Sequence, residues 1–202
     1  MSAPFCSRCG LVFSSREGQN HFCGRCLKHT GFFTRARAVG IYDNALQCAI
    51  HALKFNGMVN LAHPLGAMLM QTFRRYWDHG EIDLIAPVPL HRHRFRQRGF
   101  NQAYLLVSRW ALPEKTAIVR DLLVRSRDTP PQTGLDRRQR QINIRHAFSV
   151  SRPGHSAHKR VLLVDDVLTT GATADACAAV LLRDGAQQVD VLTLARAQQT
   201  GG

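Results

Sequence analysis

Asp165 and Asp166 follow four apolar residues, Val161 to Val164, and lead into Val167-Leu168-Thr169-Thr170-Gly171-Ala172-Thr173. An unbroken apolar run suits a strand buried on both faces of a parallel sheet. Ligands of open α/β folds collect at the carboxyl ends of such strands. Two adjacent carboxylates there can accept hydrogen bonds from vicinal hydroxyls. The small residues of Thr169 to Thr173 let backbone N–H groups converge, and Gly171 tolerates a positive φ. A helix starting near Thr173 adds unpaired N–H donors and its positive dipole end, which favour a phosphate. A ribose 5-phosphate would satisfy both halves. The run is not a Walker A loop, because no Gly-Lys-Ser/Thr follows. The competing reading is an ordinary strand–turn–helix with a solvated Asp pair.

A second chemistry lies in the first 35 residues. Cys6-x-x-Cys9 and Cys23-x-x-Cys26 are separated by 13 residues. Two such knuckles supply four thiolates, which complete a closed tetrahedral zinc site. A closed site has no open position, so its role is structural. Two disulfides or a redox pair compete with this reading, and His21 and His29 are near enough to substitute as ligands. Cys48 and Cys177 fall inside apolar helical patterns and are expected to be buried small hydrophobes.

Two further segments carry charge. Residues 90–102 form a dense basic loop after the strand closed by Pro87-Val88-Pro89. Arg94, Arg96 and Arg98 offer planar forks to phosphate oxygens, and Phe95 and Phe100 lie among them. Residues 127–146 are polar and Arg-rich, with Pro130-Pro131 and Gly134. A stretch of that length inside a compact domain reads as a lid or as disorder.

The elements that must position these groups follow from periodicity. Asn44 to Phe55 reads as a helix with Ala45, Cys48, Ala49, Ala52 and Leu53 on its apolar stripe. Further helices are expected over 61–77, 101–110 and from Thr173 to about Asp184. Strands are expected over 82–89, 122–124, 147–150, 161–164 and 189–195, the last closing the sheet. Alternating strands and helices argue for an α/β fold with a doubly wound, mostly parallel sheet. The 202 residues suffice for one such domain behind a small module, divided at 1–38 and 39–202. The formal charge of +13 points to an anionic partner. A solvated basic surface or an Arg-rich genome would also produce it. There is no apolar run long enough to insert in a membrane and no secretory pattern, so a cytoplasmic protein is expected.

The run Val161–Thr173 resembles the phosphoribosyl pyrophosphate (PRPP) motif of type I phosphoribosyltransferases, matching its strand, acidic pair, Thr-Thr-Gly and final Thr. The resemblance implies PRPP binding by Asp165, Asp166, Leu168, Thr169, Thr170, Gly171, Ala172 and Thr173, with Asp165 and Asp166 catalytic. Residues 127–146 match that family's flexible catalytic loop in position. Gln132, Thr133, Arg137 and Arg138 are its candidates there, Arg138 as a catalytic residue. Leu90, His91, Arg94 and Arg98 would meet the pyrophosphate, with Mg²⁺ bridging pyrophosphate and ribose oxygens. Adding the cysteine knuckles, Lys54-Phe55-Asn56-Gly57, Arg98-Gly99-Phe100-Asn101-Gln102 and Gln132-Thr133-Gly134-Leu135, with Arg138 and Asn143, narrows the likeness. The whole chain is similar to the ComF family of bacterial competence and DNA-utilisation proteins. That family implies a zinc ribbon fused to a phosphoribosyltransferase domain, and a role in DNA uptake and natural transformation. It implies no settled acceptor.

Two functions stay open. One is a pentosyl-type glycosyltransferase that moves phosphoribose from PRPP to an acceptor. The other is a PRPP-sensing module that binds single-stranded DNA and the DNA-uptake machinery, with Phe95 and Phe100 stacking bases. The sequence assigns no oligomeric state.

Overall fold

A computed structural model describes residues 4–15, 17–126 and 147–198. In chain order the elements are α1 (Gly24–Lys28), β1 (Ala36–Ile41), α2 (Asn44–Phe55), a 3₁₀ turn (Val59–Leu61), α3 (Ala62–Tyr76), β2 (Leu84–Pro87), α4 (Arg92–Arg98), α5 (Gln102–Val107), β3 (Ala117–Ile118), β4 (Leu123–Arg125), β5 (Phe148–Val150), β6 (Arg160–Leu168), α6 (Ala172–Arg183) and β7 (Gln188–Arg196). Five strands form one parallel sheet in the order β1-β7-β6-β2-β3, and β4 and β5 make a separate antiparallel pair. This is the doubly wound α/β arrangement expected.

The winding follows from period-two alternation in the two central strands. Val161 and Leu163 of β6, with Val189 and Val191 of β7, enter one core beside Ala174, Cys177, Ala178 and Leu181 of α6, the β4–β5 pair and the ribbon cysteines. Leu162 and Val164, with Leu192 and Leu194, enter a second core against α2, α3 and α5. Each of those strand side chains is fully buried, and a buried leucine contributes roughly 2 kcal/mol. A polar residue at an inner position of β6 would therefore damage one core or the other.

Several elements differ from the sequence reading. β1 and β3 carry too little pattern to announce themselves: β1 is Ala-Arg-Ala-Val-Gly-Ile and β3 is two residues long. β1 lies outside β7, so β7 is not the closing edge. Residues 92–98 are a helix rather than a loop, with His91 as N-cap and Gly99 as C-cap at φ 78°, the left-handed position that suits glycine. Cys48 is exposed, not buried. The inner stripe of α2 is Leu46, Ala49, Ile50 and Leu53, a true i, i+3, i+4, i+7 set. Cys48 lies off that stripe. Cys177 is fully buried, as expected. Gln132, Thr133, Gly134, Leu135, Arg137, Arg138 and Asn143 lie outside the described residues.

Candidate functional site

Two ladders of unequal length leave the end of β6 unpaired on its β2 side. Pairing with β2 ends at Pro87–Val164, whereas pairing with β7 continues to Leu168–Arg196. Asp165 and Asp166 therefore lie within the strand, on the side where β2 has already stopped. The connection from β2 leads outward to β3 and that from β6 leads to β7, so the sheet changes direction between β2 and β6. Such a switch point is where open α/β sheets bind ligands.

Strand alternation sends the two carboxylates to different neighbours. Asp166 is buried and both its oxygens are engaged: Lys54 Nζ is 2.6 Å from Oδ1, and Gln102 Nε2 donates to Oδ2 at 2.7 Å. Arg98 donates to Gln102 Oε1 at 2.7 Å, which fixes the amide orientation. Each oxygen keeps a further lone pair for a hydroxyl. Asp165 is partly buried, and its Oδ1 accepts from the Asp166 N–H at 2.8 Å. Burial, then the charge of Asp166, pushes its carboxyl up to about 7, against the pull of Lys54, the Asp166 N–H and Arg125. Its charge in turn helps burial hold the Cys177 thiol well above its usual value. A carboxyl poised near neutrality beside one locked by a lysine is a pair that can divide acceptor and donor roles.

The turn after β6 is built to stay open. Gly171 is the N-cap of α6 at φ 81°, a conformation that side chains other than glycine's seldom adopt. The Asp175 N–H closes on the Gly171 carbonyl at 2.9 Å, and the Ala172 N–H points to Thr170 Oγ1 at 3.4 Å. Thr169 is exposed, Thr170, Ala172 and Thr173 are half-buried, and Leu168 is buried beneath them. Arg196 holds the turn from below. It is 2 % exposed, yet its guanidinium donates to the carbonyls of Leu168 (2.9 Å), Thr169 (2.5 Å), Ala197 (2.8 Å) and Cys9 (3.0 Å). Four carbonyl partners account for the burial of so polar a group.

The basic segment approaches through α4 and α5. Arg98 reaches Asp166 through Gln102, and its guanidinium lies over the Phe55 ring at 5.2 Å. Leu90 and His91, between β2 and α4, and Arg94, on α4, are half-buried. His91 Nδ1 accepts from the His93 N–H at 3.3 Å. Asn101 caps α5 and donates to the Val88 carbonyl at 3.1 Å, fastening the segment to the end of β2. Lys54, Gln102, Arg125 and Arg196 thus join the expected residues. Lys54 and Gln102 stand in the two short motifs quoted above, which did not show what they bond to, whereas Arg125 and Arg196 carry no local signature.

The four cysteines converge. The Sγ atoms of Cys6, Cys9, Cys23 and Cys26 all lie within 4.8 Å of one another, with Cys9 and Cys23 3.7 Å apart. That spacing suits a tetrahedron of thiolates about 2.3 Å from a zinc ion. The Cys6 thiol is drawn down to about 4, first by its hydrogen bond with Cys9 and then by the N–H groups of Cys23 and Cys9. His21 is exposed and stacked on Phe13, outside the cluster. The cluster can hold a structural metal. Among the described residues no third His, Cys or acidic group joins Asp165 and Asp166. Two carboxylates without a third donor do not make a dedicated metal cage. No helix of the described residues is long and apolar enough to cross a membrane.

Known proteins align with nearly the whole chain. Competence protein F of Haemophilus influenzae is 33% identical over 204 residues, covering 97% of this chain and 86% of that protein. The DNA utilization protein YhgH of Escherichia coli K12 is 35% identical over 198 residues, covering 95% and 83%. Competence protein ComFC of Streptococcus pneumoniae is 26% identical over 205 residues, covering 95% and 87%. Solved structures overlay loosely. A hypoxanthine phosphoribosyltransferase from Staphylococcus aureus gives a TM-score of 0.35 at 16% identity, over 68% of this chain and 62% of that one. The allosteric regulatory enzyme of purine biosynthesis gives 0.38 at 23%, over 63% of this chain and 24% of that one. No protein-family model matches the chain. Identity of a third over almost the full length, with the cysteine cluster and the parallel sheet, settles the family: the chain belongs to the competence protein F and DNA-utilization protein family.

Proposed function

We propose that the end of β6 left unpaired on its β2 side binds PRPP with Mg²⁺ and that the chain transfers phosphoribose to an acceptor in DNA uptake or utilization. The observation that carries this reading is the placement of Asp165 and Asp166 on the open side of β6, one turn before the N-terminus of α6. The 5-phosphate would lie in the turn Leu168–Thr173, on its N–H groups and the helix dipole. The ribose would lie across the strand end, where its hydroxyls meet Asp166 from one side and Asp165 from the other. Pyrophosphate would face Leu90, His91, Arg94 and Arg98. The bond from C1 to pyrophosphate breaks, the pyrophosphate leaves with the electron pair, and C1 bonds to the acceptor through an oxocarbenium-like transition state. Mg²⁺, when bound with the substrate, would supply charge stabilisation for the pyrophosphate. The protein's task is positioning and charge stabilisation. Arg138, Arg137, Gln132 and Thr133 belong to this proposal as the covering segment. So do the division at 1–38 and 39–202, zinc in the ribbon and a cytoplasmic setting.

Titration calorimetry of PRPP–Mg²⁺ tests the reading. Micromolar binding is expected, lost in Asp165→Asn/Asp166→Asn with the fold intact. Unchanged affinity in that double variant would remove the ribose assignment.

One observation favours a second reading, a module for single-stranded DNA. Phe55 is 64% exposed, flanked by His51 at 4.7 Å and Arg98 at 5.2 Å, and Phe95 is exposed on α4. Exposed rings among arginines can stack bases. Binding of an oligonucleotide that weakens steeply with salt and on Phe55→Ala would support it. Its absence would leave the transferase reading alone.

A further inference from the structure

The ribbon is packed against the turn of the candidate site. An ideal Cβ on Gly171 would lie 3.2 Å from Arg25 Nη2 and 3.6 Å from Phe33, so both side chains abut the turn. The Phe32 N–H donates to Asp175 Oδ1 in the first turn of α6 at 2.6 Å. Arg8 fastens the same segment through the carbonyls of Gly31 and Phe33. Arg25 belongs to α1, which starts directly after Cys23 and contains Cys26. Its position is therefore set by the cysteine knuckle. Among the described residues its half-buried guanidinium has no carboxylate or carbonyl partner, unlike the neighbouring Arg8 and Arg196. A cation held at the helix N-terminus without a protein partner is arranged for an external anion.

We infer that Arg25 is a phosphate ligand which the ribbon supplies to the turn Leu168–Thr173, so that the ribbon is part of the phosphosugar pocket. Arg196 is the positioning residue of the same arrangement. Besides its bonds to Leu168, Thr169 and the Cys9 carbonyl, its Nη2 lies 3.9 Å from Cys9 Sγ, so the cysteine cluster and the phosphate turn share one buried side chain. This inference rests on the PRPP reading above and adds a contact from outside the sheet domain. It requires a ligand with a terminal phosphate monoester at the turn and makes no demand on the pyrophosphate end.

The test is calorimetry of ribose 5-phosphate, PRPP–Mg²⁺ and pyrophosphate–Mg²⁺ with the full chain and its Arg25→Ala and Arg25→Lys variants. Zinc content and thermal midpoint are checked alongside. Arg25→Ala is expected to weaken ribose 5-phosphate and PRPP roughly tenfold or more, as loss of a charge-assisted bond does. Arg25→Lys should fall between, and pyrophosphate should be unaffected. Equal affinity of Arg25→Ala and the unsubstituted chain for ribose 5-phosphate would overturn the inference. So would a uniform loss for all three ligands, which would mark Arg25 as general surface charge. An unsubstituted chain that binds neither PRPP nor ribose 5-phosphate would instead overturn the parent reading, and this contact with it.

Discussion

Lys54 and Asp166, 112 residues apart in sequence, meet at 2.6 Å and tie the end of α2 to the acidic end of β6. The lysine comes from the segment Lys54-Phe55-Asn56-Gly57, far from the acidic pair in the chain. The contact gives that segment a physical role: it supplies the counter-charge for a buried carboxylate.

Removing the lysine should therefore cost stability. Lys54→Ala leaves Asp166 with Gln102 alone, and an uncompensated buried charge costs about 3 kcal/mol. The thermal midpoint should fall by roughly 6 °C or more. Asp166→Asn in the same background should restore part of the loss. A midpoint that does not move in Lys54→Ala would show that the pair contributes nothing.

Asp165 should make stability depend on pH in the direction opposite to an ordinary surface carboxylate. Its folded-state value is raised from 3.8 to about 7, so the folded chain binds the extra proton between those limits. Stability from this group is then fully present below about 4 and is lost as pH rises through about 7. Asp165→Asn should be more stable than the unsubstituted chain at pH 8, with the difference shrinking as pH falls from 7 toward 4. Parallel stability curves across that range would refute the raised value.

Gly171→Ala should be damaging for two reasons. At φ 81° an alanine is strained, by about 1 kcal/mol. Its methyl would also crowd Arg25 Nη2 at 3.2 Å, while meeting Phe33 at ordinary contact distance. Weakened PRPP binding together with a lower midpoint is expected. Unimpaired binding would place the phosphate elsewhere.

Metal removal should act beyond the ribbon. Elemental analysis is expected to find one zinc per chain, absent in Cys9→Ser. Because Arg196 touches both Cys9 and the carbonyls of Leu168 and Thr169, the stripped protein should also bind PRPP more weakly. Zinc-free protein with full PRPP affinity would separate the two sites.

How far the sequence carried the site depends on whether its parts are local. β6, the acidic pair, the turn and α6 are contiguous, so apolar run, carboxylates and small residues spell out the element order directly. The cysteine knuckles are legible for the same reason. Lys54 and Gln102 stand in short motifs, but their bonds to Asp166 come only from the packing of distant elements, and the isolated Arg25 and Arg196 have no pattern to announce them. Cys48 shows the complementary difficulty. Alanine-rich α2 offers two stripes of comparable polarity, and only the tertiary contacts of Ile50 and Leu53 decide between them. The helix at 92–98 was obscured because four arginines mask any apolar face, and its ends are fixed instead by His91 and Gly99.

The bond between Cys9 and Arg196 spans 187 residues. Chains emerge from the ribosome N-terminus first, so the cysteine knuckles are made long before β7 exists to seat them. The four cysteines can gather early as a local unit. The Arg196 bonds that join that unit to the turn, and the docking of β1 beside β7, must wait until β7 is synthesised. A chain cut short before β7 would keep its cysteine cluster but lose the Arg196 bond to Cys9, and its acidic strand would lose its longest neighbour. Full bracing of the turn Leu168–Thr173 is thereby tied to the synthesis of β7, whose Arg196 holds the Leu168 and Thr169 carbonyls.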